Sequence, residues 1–340
     1  MTSKELMLST LEFRNTGGRA PRQLWHLPWA QMYEKEGFDK ICRDFHWDMQ
    51  GVATAYKQPP VMQKGNPYEP GDSFDAWGCH FTNIHPGVDG EVKHPLVTDD
   101  DWNDISRVHI PEEWLSFDVE QVNAACAGST DFIVGGCCPR PFEQLQFIRV
   151  SENLYMDLIE QPKGFLEFVE RMHDFYCRLM KKWAQTDVDA LSFMDDWGAQ
   201  RSLLINPKLW REFFKPMYRD YIDIAHAAGK KVGMHSDGYT LDIIPDLIEL
   251  GLDYFNTQIF CIGIDKLAQF KGKITFHGEI CRQNLLPNGS VQDIRNAVKE
   301  VYDTLWDNGG CIAQCEFGPG SKPENVYAVF QTWDELTGGR

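Results

Sequence analysis

The chain reads as an α/β protein: a single (β/α)8 TIM-type barrel spanning residues 1–340, with an irregular, aromatic-rich N-terminal part. Three observations predict this. Five short apolar runs in the second half each end on polar or reactive side chains. Ala190–Met194 ends on Asp195 and Asp196, 231–234 on His235, Ser236 and Asp237, and Tyr254–Thr257 on Gln258; 274–276 ends on His277, Gly278 and Glu279, and 311–314 on Cys315 and Glu316. Helical patterns alternate with these runs from about residue 130 onward, as parallel β/α units require. No glycine-rich phosphate turn follows an early strand, which leaves a doubly wound nucleotide-binding sheet without support. Reactive groups at the carboxyl ends of successive strands are the arrangement barrel enzymes use.

In chain order, residues 1–20 read as a short helix and a polar turn, and 23–27 as a first strand. Residues 57–100 are rich in Pro, Gly, Asp and His with weak periodicity, a length of irregular chain that is often functional. Residues 132–137 form another strand, ending on Cys137 and Cys138. A helix over 163–185 places Phe165, Phe168, Val169 and Met172 on one face. Asn206 is an N-cap with Pro207 at the first helical position; Leu209, Phe213, Met217 and Ile224 continue that helix until Gly229 stops it. Thr240 caps a helix over 241–250 that Gly251 ends. Ser290 with Asp293 starts another, whose apolar face is Ile294, Val298, Val301 and Leu305. One or two strands in the first half bring the total to about eight, enough to close a barrel.

The net charge of −17 argues against nucleic acid, since neutralising phosphates needs clustered Lys and Arg. It suits solubility or a complementary basic protein partner. No apolar stretch approaches the ~20 residues of a membrane span, and the N-terminus lacks a secretory pattern. The ten cysteines show no disulfide-framework spacing and read as thiols of a cytoplasmic protein.

His235 and Asp237 lie two apart on a strand, so both side chains share a face and can bind one atom or pass one proton. His277 and Glu279 repeat that spacing. Of the neighbours Asp195 and Asp196, only one can enter a site; the other is expected to cap a helix or pair with Arg201. Cys315 sits where the last strand ends. The combined His, Cys, Asp and Glu set is competent for zinc, although no Cys-x-x-Cys or His-x-x-x-His spacing supports it. Each residue also has a structural role open to it, Asp237 as a helix cap and Cys315 as a small buried hydrophobe. Trp25, Trp29, Trp77, Phe81 and Trp102 crowd the first half, where they suit a flat apolar ligand or plug the outer layers.

Residues 229–238 (Gly-Lys-Lys-Val-Gly-Met-His-Ser-Asp-Gly) resemble a segment of uroporphyrinogen-decarboxylase-like proteins. So do 195–200, Ile205-Asn206-Pro207, 276–279, 323–326 and, more loosely, 75–78 and His94-Pro95-Leu96. The resemblance covers most of the chain, is strongest over 190–330, and implies a (β/α)8 barrel. It also shows departures. Residues 26–31 hold no arginine where the decarboxylase carries an arginine-rich, propionate-gripping motif, and Cys315 stands where the decarboxylase has a histidine. Thiol methyltransferases of the superfamily place a zinc-binding cysteine at the position of Cys315 and have His-x-Cys where this chain has His235-Ser236-Asp237.

Replacing sulfur with oxygen makes such a site harder. The similarity is greatest to the methyltransferase component of aryl-ether O-demethylases. It implies cleavage of a small methoxylated aromatic and transfer of the methyl group to a corrinoid (cobalamin) on a separate protein. The implied catalytic residues are His235, Asp237, Asp196 and Glu279. The implied substrate contacts are His26, Trp29, Trp77 and Cys137, and the implied zinc ligands are His235, Asp237 and Cys315. The alternatives are a carboxylic-acid decarboxylase anchored by Arg140, Arg201 or Arg282, a thiol methyltransferase, and a barrel that binds without turnover.

Overall fold

In the computed structural model, which describes residues 1–338, the expected barrel is present. Strands β1 (Arg22–His26) and β2 (Met49–Gly51) precede a small antiparallel sheet of β3 (Gly71–Phe74), β4 (His80–Asn83) and β5 (Glu91–Val92). The remaining barrel strands are β6 (Phe132–Val134), β7 (Ala190–Met194), β8 (Lys231–Ser236), β9 (Tyr254–Thr257), β10 (Thr275–Glu279) and β11 (Cys311–Phe317). All eight barrel strands are parallel, in the order β1-β11-β10-β9-β8-β7-β6-β2. Asp48 bridges the seam between β1 and β2. Its backbone N–H donates to Arg22 O at 2.9 Å, and its buried carboxylate accepts from Arg22 N at 2.8 Å and from Arg19 at 2.6 and 2.8 Å.

Side chains alternate between the barrel interior and the helix layer. At the bottom, Met49, Phe132, Ala190, Tyr254 and Ile312 pack together, and Met7 and Leu11 of helix Ser3–Leu11 join them. Gly233 is required here: a Cβ at that position would lie 2.1 Å from the Tyr254 ring. The opposite parity on β11, Cys311, Ala313, Cys315 and Phe317, belongs to the large core shared with the helices.

Several sequence expectations are met and others corrected. Helix Lys163–Trp183 buries Phe165, Phe168, Val169 and Met172 as its period requires. Asn206 caps as expected, accepting from Lys208 N at 2.8 Å, and Ser290 with Asp293 forms a capping box. The helix after Asn206 is broken into Pro207–Phe213 and Lys215–Ala227; Pro216 lacks the N–H that would continue the ladder. Thr240 makes no capping bond and instead meets the Thr257 hydroxyl at 3.1 Å. Residues 57–100, expected to be irregular, hold the three antiparallel strands, too short to show a period. Trp77 within this insertion and Trp102 just after it fasten it to the barrel. Their rings pack on Phe175 (5.7 Å) and Phe168 (5.5 Å), and Trp102 Nε1 donates to Asp157 at 3.0 Å.

Candidate active site

The inward positions at the carboxyl ends of β1, β8, β9, β10 and β11 carry Trp25, His235, Asn256, His277, Glu279 and Glu316, and the loops after β7 and β8 add Asp196 and Asp237. His235 is the centre. Its Nε2 lies 3.4 Å from Asp196 Oδ1 and 3.8 Å from Asp237 Oδ1, and its Nδ1 lies 2.6 Å from Asn256 Oδ1. Asn256 is fixed in turn by donating from Nδ2 to His277 O at 2.8 Å, so its oxygen faces the imidazole and accepts from Nδ1–H. Trp25 covers the ring, centroids 5.1 Å apart.

The two loops that supply the carboxylates are tied to each other. Asp237 N donates to Asp196 Oδ1 at 3.0 Å, Trp197 N to Ser236 Oγ at 3.0 Å, and Gly198 N to Asp237 O at 3.0 Å. Gly238, at φ 76°, lies so close to Gly198 that a Cβ would sit 2.0 Å from the Gly198 carbonyl oxygen. Tight loop packing therefore places the carboxylates before any ligand arrives.

Charge sets the protonation states. Burial pulls the His235 ring down, but the hydrogen bond and charge of Asp196, with the charge of Asp237, outweigh it and hold the imidazole up at about 9. Burial opposes ionisation of Asp196, yet His235 keeps it below the ordinary carboxylate range. Burial and the His235 charge push His277 down to about 3, so it is neutral. Burial lifts Glu279 to about 8 against the pull of Arg282. Arg282 gathers three carboxyl groups: it pairs closely with Asp237, and its Nη1 lies 2.7 Å from Glu316 and 3.3 Å from Glu279.

Asp196 is the member of its pair that enters the site. Asp195 turns into the core, where it accepts from Tyr218 Oη at 2.6 Å and Glu143 N at 2.7 Å rather than pairing with Arg201, and burial raises its carboxyl well above the usual range. Cys315 does not join His235 and Asp237. Its register partner is Leu24, whereas Trp25 and Glu316 are the pair that faces inward. The sulfur is buried in the apolar layer under the helices, which drives its thiol well above the ordinary value. Asp196 takes its place: oxygens of Asp196 and Asp237 and a ring nitrogen of His235 all lie within 4.8 Å of one another.

These donors fit a metal ion. Tetrahedral zinc separates oxygen and nitrogen ligands by roughly 3.4 Å, close to the 3.4 and 3.8 Å measured here. Asp237 Oδ1 is buried without a hydrogen-bond partner among the described residues.

Beside this group opens a cleft of ≈ 1510 Å³ between the barrel mouth and the insertion, with Trp25, Tyr68, Phe74, Phe81 and Phe147 among its walls. Cys137 lies at its floor, its sulfur donating to Ser192 O at 3.3 Å and its thiol lifted by burial to about 12. Trp77 borders the cleft, but its ring is buried in the aromatic core. His26 and Trp29 do not line it. His26 faces outward against Phe38 at 4.7 Å, and Trp29 stacks near Tyr33 and docks the insertion through its N–H to Gly87 O at 3.0 Å. Sequence reading assigned no role to Asn256 or Glu316. Strand parity was the available signal, since Asn256 shares a face with Tyr254 and Glu316 with Gln314.

Fold and site together define a (β/α)8 barrel of the enzyme type, with an acid–base cluster at its carboxyl mouth. The profile of the uroporphyrinogen decarboxylase family matches residues 74–336, and the chain belongs to that family. Among solved structures, a methyltransferase from Methanosarcina mazei superposes with a TM-score of 0.67 at 15% identity, covering 99% of both chains. A 3-keto-D-glucoside 4-epimerase from E. coli, at 13% identity and a TM-score of 0.41, covers 66% of this chain and 86% of its own. No curated protein matches the sequence. No helix among the described residues is long and apolar enough to cross a membrane.

Proposed function

We propose that the protein is a methyltransferase that cleaves an aryl methyl ether and passes the methyl group to the corrinoid of a separate protein. The observation that carries this reading is His235, held protonated by two carboxylates beside an aromatic-walled cleft whose two basic lining residues, Lys93 and Arg140, are already paired. The reduced corrinoid is the acceptor substrate and supplies the cobalt nucleophile. The C–O bond of the ether breaks heterolytically, and its electron pair stays on the aryl oxygen. A phenolate is a poor leaving group, so positive charge or a proton at that oxygen lowers the barrier. His235 Nε2–H supplies the proton at neutral pH. Asp196 and Asp237 keep it bound until the bond breaks, and Asn256 holds the ring so that Nε2 faces them. Glu279, kept protonated by burial, is the reserve acid in this reading; Arg282 pairs with it and with Asp237 and holds the two near each other without itself passing a proton. In a metal-loaded protein His235, Asp196 and Asp237 would hold zinc, which supplies Lewis acidity toward the same oxygen.

A polycarboxylate substrate fits poorly. The cleft is lined by six carboxyl groups (Asp75, Asp89, Glu91, Glu143, Glu152, Asp196) against Lys93 and Arg140. Arg140 already pairs with Glu143 at 3.1 Å, and Lys93 pairs with Glu91. An anion entering would meet like charge without an open bidentate partner. The test is incubation with guaiacol or veratrol and a partner loaded with cob(I)alamin, without oxygen. Release of the phenol with methylation of the cobalt is expected, and loss of both in His235→Ala. Carbon dioxide released from a carboxylated substrate, with no methyl transfer from any methoxyaromatic, would overturn the reading.

A further inference from the structure

Outside the barrel mouth, a second group of donor atoms bridges helix Lys163–Trp183 and helix Lys215–Ala227. His173 and Cys177 stand one turn apart on the first helix, so their side chains meet. Asp220 reaches them from the second. Asp220 Oδ2 lies 2.8 Å from His173 Nε2, Cys177 Sγ lies 3.6 Å from that nitrogen, and donor atoms of all three residues lie within 4.8 Å of one another.

The distances approach those of a coordination shell. With Zn–S ~2.3 Å and Zn–N ~2.0 Å, a tetrahedral ion sets sulfur and nitrogen about 3.6 Å apart and nitrogen and oxygen about 3.4 Å apart. The first separation is already present. The second requires the His173–Asp220 pair to open by about 0.6 Å, which the exposed Asp220 side chain can do by rotating. The other ring nitrogen is also provided for. His173 Nδ1 lies 3.2 Å from the hydroxyl of Tyr221, a buried residue. An N–H at Nδ1 bonded to that oxygen leaves the Nε2 lone pair directed at Asp220, the outer arrangement that metal-binding histidines use; Cys177 Sγ, 3.6 Å from Nε2 and 3.9 Å from Nδ1, sits over the ring and must swing toward the ring plane to share an ion there.

An ion pair between His173 and Asp220, with the second ring N–H donated to Tyr221, accounts for those contacts but makes no use of the thiol beside them. Burial and the Asp220 charge raise the Cys177 thiol to about 12, so without metal the sulfur keeps its proton; a metal ion would displace it.

The geometry points to a binding site for a thiophilic divalent cation of the zinc class, formed by His173, Cys177 and Asp220 with the fourth position open to solvent, which clamps two helices of the outer layer. It is independent of the methyl-transfer reading and shares no residue with the His235 cluster. The second helix also carries Tyr218, whose hydroxyl holds Asp195 beside the site, so the clamp braces the scaffold behind Asp196.

The probe is Co2+ added to the chelator-treated full-length protein without oxygen. A thiolate-to-cobalt charge-transfer band should appear and reach the intensity of one thiolate-bound ion per chain, accompanied by tetrahedral ligand-field bands. Both should survive in Asp196→Asn/His235→Gln, where the mouth cluster is removed, and disappear when Cys177→Ser or His173→Gln is added to that background. Tyr221→Phe should keep the bands with roughly tenfold weaker affinity. Circular dichroism and thermal melting of each variant without metal establish that it folds, and either Cys177→Ser or His173→Gln suffices if the other does not. No thiolate band in the parent, or a band unchanged in a folded Cys177→Ser or His173→Gln, overturns the assignment.

Discussion

Replacing Asp196 with Asn should shift the pH dependence of the reaction rather than merely lower its rate. The substitution keeps an oxygen to accept from Asp237 N and removes the carboxylate that lies 3.4 Å from His235 Nε2. Asp196 is the largest of the influences that hold the His235 ring at about 9. Without it, burial, the largest single influence, is opposed only by the Asp237 charge and the Asn256 hydrogen bond, and the ring falls to the ordinary imidazole value of ~6.5 or lower. At about pH 7.5 the protonated fraction then falls from roughly 97% to about 10% or less, a loss of about tenfold or more in a step that needs the proton.

At about pH 5.5 parent and variant are both mostly protonated, and their rates should converge. The assay is single-turnover methyl transfer from guaiacol in chelator-treated protein across the pH range. The alkaline limb should lie near 9 in the parent and at ~6.5 or lower in the variant. Stability gives a second readout. The folded-state value lies above the unfolded one, so the pair's contribution is fully present below ~6.5 and is lost as pH rises through about 9. The parent's advantage in Tm should therefore shrink over that window. An alkaline limb that stays near 9 in the variant, or an equal rate loss at every pH, would refute His235 as the titrating donor.

Glu279→Gln should gain stability relative to the parent as pH rises from ~4.5 through about 8 and hold a constant difference above that, since burial raises the folded-state value of Glu279 and its stabilising effect is lost over that range; melting curves at several pH values check this. Cys315→Ala should leave zinc at the mouth unchanged by elemental analysis and cost about 1 kcal/mol in denaturant unfolding, because the sulfur packs in the helix layer; zinc lost from the mouth would place it back among the ligands. Neutral methoxyphenols should show higher kcat/KM than methoxybenzoates, on the order of tenfold, because the cleft is acidic; raising ionic strength should narrow the gap, and equal values at low salt would mean that the lining charges do not select the donor.

The barrel and much of its mouth were legible in local sequence, because each barrel strand of the second half is an apolar run closed by polar residues. A period of two is a property of the extended chain, so the shared face of His277 with Glu279 needed no tertiary information, whereas Asp237 lies just past β8 and is brought to His235 by its bonds to the loop after β7. The same rule, applied to β11, separates Gln314 and Glu316 from Ala313, Cys315 and Phe317, and the apolar parity belongs to the helices. The resemblance at Cys315 pointed the other way, and the parity of the strand prevailed.

Other features depend on contacts between distant segments. Whether Asp195 or Asp196 enters the site is decided by Tyr218 and by the N–H of Glu143, which together hold Asp195 in the core. Asn256 orients His235 only because the register of β8 and β9 sets the two residues side by side. Arg282 becomes the centre of three carboxyl groups only once β8, β10 and β11 converge. Sequence by itself determined the strand–helix alternation and which side chains share a strand face, since both follow from the local period of the backbone. Tertiary structure alone decided which faces point inward together, which carboxylate meets His235 and where each proton resides, because ring closure and burial bring together charges that lie far apart in the chain.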